Sequence, residues 1–116
     1  MSALKPYKVQ LTNRPGFGKQ IFTINTWLSA YINDHYYVEE AERLLIGNIN
    51  KVLSGEAYKG GGQTQSLYFA EIYRNETKIY QDLEAWEQNN NITPDFVLPT
   101  TDFKVIVEAW RDFLKK

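Results

Sequence analysis

The chain predicts an α+β domain, a small antiparallel sheet with a central hairpin packed against two main helices, the second of them C-terminal and amphipathic. Three features carry that expectation. "SLYFAEIYRNETKIYQDL", residues 66 to 83, sets two runs rich in aromatic and aliphatic residues around a polar turn, as a β-hairpin does. "VEEAERLLIGNINKVLSG" (38 to 55) and "TTDFKVIVEAWRDFLKK" (100 to 116) repeat apolar residues every three or four positions, as a helix with one buried stripe does. At 116 residues, positions 1–116 are expected to form one domain, because a unit of this size buries roughly two thirds of its unfolded surface and a second core would lack material.

Element by element, "YKVQLTN" (7 to 13) alternates Tyr7, Val9 and Leu11 with polar residues and predicts a strand, "RPGFGK" a turn, and "QIFTI" (20 to 24) a second strand. "TWLSAYIN" (26 to 33) predicts a short helix with Trp27, Leu28, Tyr31 and Ile32 on one side. Asn33 or Asp34 is the expected N-cap of the main helix, with Val38, Ala41, Leu45, Ile49 and Val52 as its stripe and Leu44 and Leu53 widening it. Gly55 supplies its stop. Gly47 within it either allows another backbone to approach closely, the favoured reading, or is simply tolerated. "AYKGGGQTQ" (57 to 65) reads as a flexible connection whose glycines pack nothing.

A hairpin turn centred on Asn75-Glu76 would pair Ile72 with Ile79, Ala70 with Gln81 and Tyr68 with Leu83 on an apolar face. Glu71, Tyr73, Lys78, Tyr80 and Asp82, with Phe69, would then form a partly exposed opposite face. "EAWEQNNNITPDF" (84 to 96) reads as a surface excursion anchored by Trp86, and "FVLP" as a short extended lead-in to the last helix. That helix would start at Pro99 with a threonine cap and Asp102 in its first turn, bury Phe103, Ile106, Val107, Trp110, Phe113 and Leu114, and close on Lys115 and Lys116. Lys104 with Glu108, and Glu108 with Arg111, would pair on its exposed side.

Charge is uneven although the net is −1: Lys5, Lys8, Arg14 and Lys19 give the first 33 residues +4, and all 14 acids follow from Asp34 onward. Between Asp82 and Asp102 there are acids but neither Lys nor Arg. A nucleic-acid binder would gather cations on one face, so no nucleic-acid partner is expected. An acidic segment suits a basic protein partner, or is a solvated surface. No apolar run approaches the roughly 20 residues a bilayer crossing needs, and "MSALKPYKVQ" lacks the apolar region of a secretory signal, so a cytoplasmic protein with no membrane association is expected.

Chemistry finds little support. With no cysteine and His35 as the only histidine, a catalytic triad or a histidine-rich or thiolate metal site is hard to assemble, so neither catalytic residues, metal nor cofactor is expected. His35 reads as solvent-exposed or capping, with an enzyme acting through it and nearby acids as the minor alternative. "NRPGFGKQ" fails as a phosphate loop, because that motif needs glycine at Asn13 and Ser or Thr at Gln20.

The order hairpin, polar excursion, then "LPTTDFKVIVEAWRDFL" resembles the small bacterial immunity proteins of contact-dependent growth inhibition and related polymorphic toxin systems. The resemblance covers residues 66 to 114 and rests on the proline and threonines before "DF" and on the following "W" and "FL". It implies a non-enzymatic cytoplasmic protein that binds a cognate toxin domain, frequently a nuclease, and masks its active site or substrate surface. Pro99, Asp102, Phe103, Trp110, Phe113 and Leu114 carry over as scaffold positions only. The charge map supplies the candidate toxin contacts: Asp82, Glu84, Glu87 and Asp95 with Tyr80 and Trp86 as aromatic anchors, and Asp34, Glu39, Glu40 and Glu42 as a second acidic patch. The alternative is a non-enzymatic adaptor or structural interaction domain, self-associating through the aromatic hairpin.

Overall fold

In the computed structural model, which describes residues 4–116, the strands form two antiparallel sheets. β1 (Gln10–Arg14) and β2 (Gly18–Phe22) make a two-stranded hairpin. β3 (Gly60–Gln63), β4 (Phe69–Ile72), β5 (Glu76–Tyr80) and β6 (Phe96–Pro99) make a four-stranded meander in that order. The helices are α1 (Thr26–Asn33), α2 (Val38–Glu40), α3 (Gly47–Leu53), α4 (Leu83–Gln88) and α5 (Thr100–Leu114). A π-helical segment, Ala41–Ile46, joins α2 to α3. The α+β class, the antiparallel pairing and the C-terminal helix are those the sequence predicts. Among the described residues no helix is long and apolar enough to cross a membrane.

One continuous core joins most of these elements, while α4 packs in a small separate cluster. Leu28 and Ile32 of α1, Leu45 and Ile49 of the central helical run, Ile72 and Ile79 of the larger sheet, and Phe103, Ile106 and Trp110 of α5 are all fully buried. Phe113 and Leu114 are half-buried against it. Trp110 places its whole indole inside because Nε1 has a partner there, donating to the His35 carbonyl at 2.9 Å. His35 itself is 5% exposed, with Nδ1 2.9 Å from the Tyr31 carbonyl oxygen. The solvent-exposed or capping histidine is therefore corrected to a core residue that ends α1 and braces α5.

Several local expectations change. The first strand begins at Gln10, not Tyr7, because residues 4 to 8 form a turn: Lys8 has φ 52° and Val9 N–H donates to the Leu4 carbonyl at 2.9 Å. Tyr7 reaches the last helix instead, its hydroxyl donating to Asp102 Oδ2 at 2.9 Å. Asn25 caps α1, its Oδ1 accepting from Trp27 N–H and Leu28 N–H at 2.9 and 3.0 Å. Neither Asn33 nor Asp34 caps the main helix; Tyr37 occupies that position without a side-chain bond.

Of the predicted stripe, Ala41, Leu45, Ile49 and Val52 are buried and Val38 is half-buried, and Ile46 joins it in the π-helical segment. Gly47 closes that segment with its N–H on the Glu42 carbonyl, five residues back. A Cβ there would lie 3.3 Å from that same oxygen, so the glycine accommodates its own helix, not a neighbouring backbone.

The glycine run is not a loose connection. Gly60, Gly61 and Gly62 form the edge strand β3, paired with Ile72, Glu71 and Ala70. Gly60 packs closely on α3, where an added Cβ would sit a tight 3.2 Å from Asn48 Cβ and 3.3 Å from Val52 Cγ2. The hairpin register is slipped by two residues, pairing Ile72 with Thr77 and Ala70 with Ile79, because the turn closes one residue earlier, with Tyr73 N–H donating to the Glu76 carbonyl at 2.9 Å. A two-residue slip keeps every side chain on its expected face. It also places Thr77 inside, where its hydroxyl lies 3.0 Å from that of Thr100.

Thr100 is fully buried and donates to the Tyr73 carbonyl, so it ties α5 to the hairpin instead of capping the helix. Lys19 of β2 satisfies the far end of α5, donating to the Phe113 and Leu114 carbonyls at 3.0 and 3.2 Å. Lys115 turns to Glu42 at 3.2 Å, and Arg111 pairs with Asp112 rather than Glu108.

Candidate functional site

The outer face of the larger sheet carries the alternate residues Phe69, Glu71, Lys78 and Tyr80. The supposed surface excursion folds back over part of it. Asp82 caps α4 by accepting from Glu84 N–H at 2.9 Å and Ala85 N–H at 3.4 Å, and Asp95 ties the returning chain down by accepting from Gln81 N–H at 2.8 Å and Gln81 Nε2 at 3.0 Å. Leu83 and Trp86 of α4, with Ile92, cover Phe69 and Tyr80, the Phe69 and Trp86 ring centroids lying 4.4 Å apart. A six-residue helix cannot cover the whole face. What remains open is a hollow of about 660 Å³ with Glu71, Lys78 and Tyr80 from the sheet, Tyr73 from the hairpin turn, Lys59 and Trp86 at its sides, and residues 90 to 94 as a rim.

Glu71 sits in that hollow at 6% exposure. A buried carboxylate needs donors converging on it, and three do. The Tyr80 hydroxyl donates to Oε1 at 2.9 Å, the Tyr73 hydroxyl to Oε2 at 2.9 Å, and Lys59 Nζ approaches Oε2 at 2.7 Å. Burial alone would raise the Glu71 pKa; the bonds from Lys59, Tyr80 and Tyr73 outweigh it and hold the carboxyl below its ordinary value. The Glu71 hydrogen bond raises the Lys59 ammonium, and burial followed by Glu71 raises both tyrosines.

These groups therefore hold fixed protonation states near neutral pH, the carboxylate charged, the ammonium charged and both phenols protonated. That arrangement suits recognition of charge more than transfer of protons. Lys59 Nζ also lies 5.8 Å from the Tyr73 ring centre and 5.3 Å from that of Trp86, and Lys78 Nζ lies 5.5 Å from Tyr73. A larger hollow of about 730 Å³ beside Gly55, Tyr58 and Arg74 contains no buried charged group.

The predicted contacts fall into distinct roles. Tyr80 is 2% exposed, so the expected aromatic anchor is a floor residue committed to Glu71. Trp86 is half-buried on Phe69, with its Nε1 buried and, among the described residues, without a hydrogen-bond partner. Asp82 and Asp95 are exposed, but their carboxylates hold the fold of their own segment. Glu84 and Glu87 are exposed and, among the described residues, their carboxylates have no partner.

The second patch is mostly engaged within the chain: Asp34 accepts from Ser66 N–H at 3.2 Å, Glu39 pairs with Arg43 at 2.7 Å, and Glu42 with Lys115. Glu40, half-buried, has no hydrogen bond or ion pair at its carboxylate among the described residues. The sequence groups Glu71, Tyr73, Lys78 and Tyr80 on one face but marks only Tyr80 of them as functional, and it places Lys59 in a flexible connection. The available signal was a carboxylate inside the apolar strand "FAEI". Compared with protein-family models, curated proteins and solved structures, the chain matches none.

Proposed function

We propose that this chain is a non-enzymatic binding protein, an immunity protein that neutralises a basic bacterial toxin domain in the cytoplasm by masking its active site or substrate surface. The observation that carries the reading is the pair Glu84 and Glu87 on α4, exposed, unpaired among the described residues and three residues apart on the helix that also carries Trp86. Unpaired carboxylates on a short helix beside a half-buried tryptophan combine long-range attraction for a cationic partner with an aromatic contact. The resemblance of residues 66 to 114 to immunity proteins supports the same reading.

The test is coexpression with the toxin domain encoded immediately upstream. Protection and co-purification are expected, and the double variant Glu84→Lys, Glu87→Lys should slow association while moving stability by no more than about 0.5 kcal/mol. Absence of both protection and complex would overturn the reading. The adaptor reading loses the aromatic hairpin as its surface, since Phe69 and Tyr80 are buried, and draws instead on the exposed rings of Phe17 and Tyr58, 69% and 86% accessible; a stable homo-oligomer in sedimentation without toxin binding would favour it.

A further inference from the structure

We propose that the hollow on the outer sheet face is a cation-receiving cage, and that Lys59 is a built-in occupant which gives way to an arginine or lysine side chain of a protein partner. The floor is a nearly buried carboxylate held in place by two tyrosine hydroxyls, one on each oxygen, so its position does not depend on the resident cation alone. The walls are the Tyr73 and Trp86 rings, whose faces attract a cation. The present cation arrives on the segment just before edge strand β3, and its side chain is 38% exposed, against 8% for that of Glu71. Withdrawal of Lys59 into water therefore restores the hydration of its ammonium, whereas Glu71 left without a cation is a buried charge short of a partner.

An incoming guanidinium has the advantage over the resident ammonium. It is more weakly hydrated, stacks flat on aromatic rings, and presents further N–H groups. Asn90, Asn91 and Thr93 on the rim supply amide and hydroxyl oxygens that can accept them. That the cation is carried by a protein partner rests on the reading above; that the cage takes a cation does not.

The experiment uses the full chain with Lys59→Ala and the probe N-acetyl-arginine amide, with N-acetyl-citrulline amide as its uncharged counterpart, following the Trp86 indole N–H by NMR. Saturable binding of the arginine probe is expected, about tenfold tighter than to the native chain and reduced about tenfold or more by adding Glu71→Gln, with no response to citrulline. No binding, equal binding of citrulline, or indifference to Glu71→Gln would overturn the cage. Should Lys59→Ala fail to fold, the native chain is titrated while the Lys59 ε-methylene is followed. Loss of its ring-current shift as probe is added supports displacement, and an unmoved resonance at high probe concentration rejects it. A cage that binds arginine in a chain that ignores the toxin would sink the immunity reading alone, and a chain that binds the toxin without any arginine binding would sink the cage alone.

Discussion

The two faces of the four-stranded sheet use alternate residues of the same strands and differ in nearly everything else. The inner face, Ala70, Ile72, Ile79 and Leu98, is essentially dry beneath α1, α3 and α5, and its polar side chain Thr77 is matched to Thr100. The outer face is covered by a short helix and a loop, and the uncovered part holds a carboxylate, two phenols and two lysines. Where three helices supply apolar cover, close packing sets the stability. Where cover is scarce, a charged group is kept because donors converge on it, and chemistry has room.

The largest effect that would test this division is Trp110→Ala. Loss of a fully buried indole should cost about 3–5 kcal/mol in urea unfolding, and it also strips the His35 carbonyl of its donor. A cost near that of an average surface substitution would contradict the assignment of stability to the inner side. Next comes Gly61→Ala at the sheet edge. Gly61 has φ +104° and an added Cβ would run into the Ala70 carbonyl, so a loss of about 1–3 kcal/mol is expected, read as a lowered melting temperature. A neutral result would mean that β3 can leave the sheet without consequence.

On the outer face, Glu71→Ala should cost about 1–3 kcal/mol by orphaning the buried Tyr80 hydroxyl, and Glu71→Gln less, because an amide oxygen can still accept from one phenol. The smallest effect is a two-stage decline of stability in acid. Burial lowers the His35 pKa below 6.5 despite the opposing Tyr31 carbonyl, Glu40 and Asp34, so the unfolded chain takes up that proton first. Stability should fall as pH drops past 6.5 and level off below the folded value. Glu71 is likewise held below 4.5, so its contribution is present above that pH and lost as pH falls through its folded value. Chemical denaturation across pH should show both stages. His35→Gln should remove the first and Glu71→Gln the second; a single transition unaffected by either would reject the assignment.

The inner face was legible because periodicity reports burial by apolar neighbours: Phe103, Ile106, Val107 and Trp110 could be named from spacing alone. The outer face was not, because its burial depends on where residues 83 to 96 return, and no local pattern specifies that. Glu71 looks like any strand carboxylate until Tyr73, Tyr80 and Lys59 converge on it. The glycine run was misread for a related reason, since its fit against Asn48 and Val52 is a property of α3 and not of the run itself. Asp82 and Asp95 were correctly placed at the surface, yet their hydrogen bonds hold the backbone and leave Glu84 and Glu87 as the accessible charges.

Lys19, whose ammonium closes α5, and Tyr7, whose hydroxyl meets Asp102, couple residues 94 and 95 positions away along the chain. Such closures come late in time, because the entropy of a long loop is lost before its contacts form. As the polypeptide emerges from a ribosome, β1 and β2 are made first and can dock on α1, where Asn33 exchanges hydrogen bonds with the Ile21 backbone, well before α5 has followed. The chain that leads in sequence thereby receives its last bonds only when the final helix arrives, and the Lys19 and Tyr7 contacts are expected to report completion of the fold.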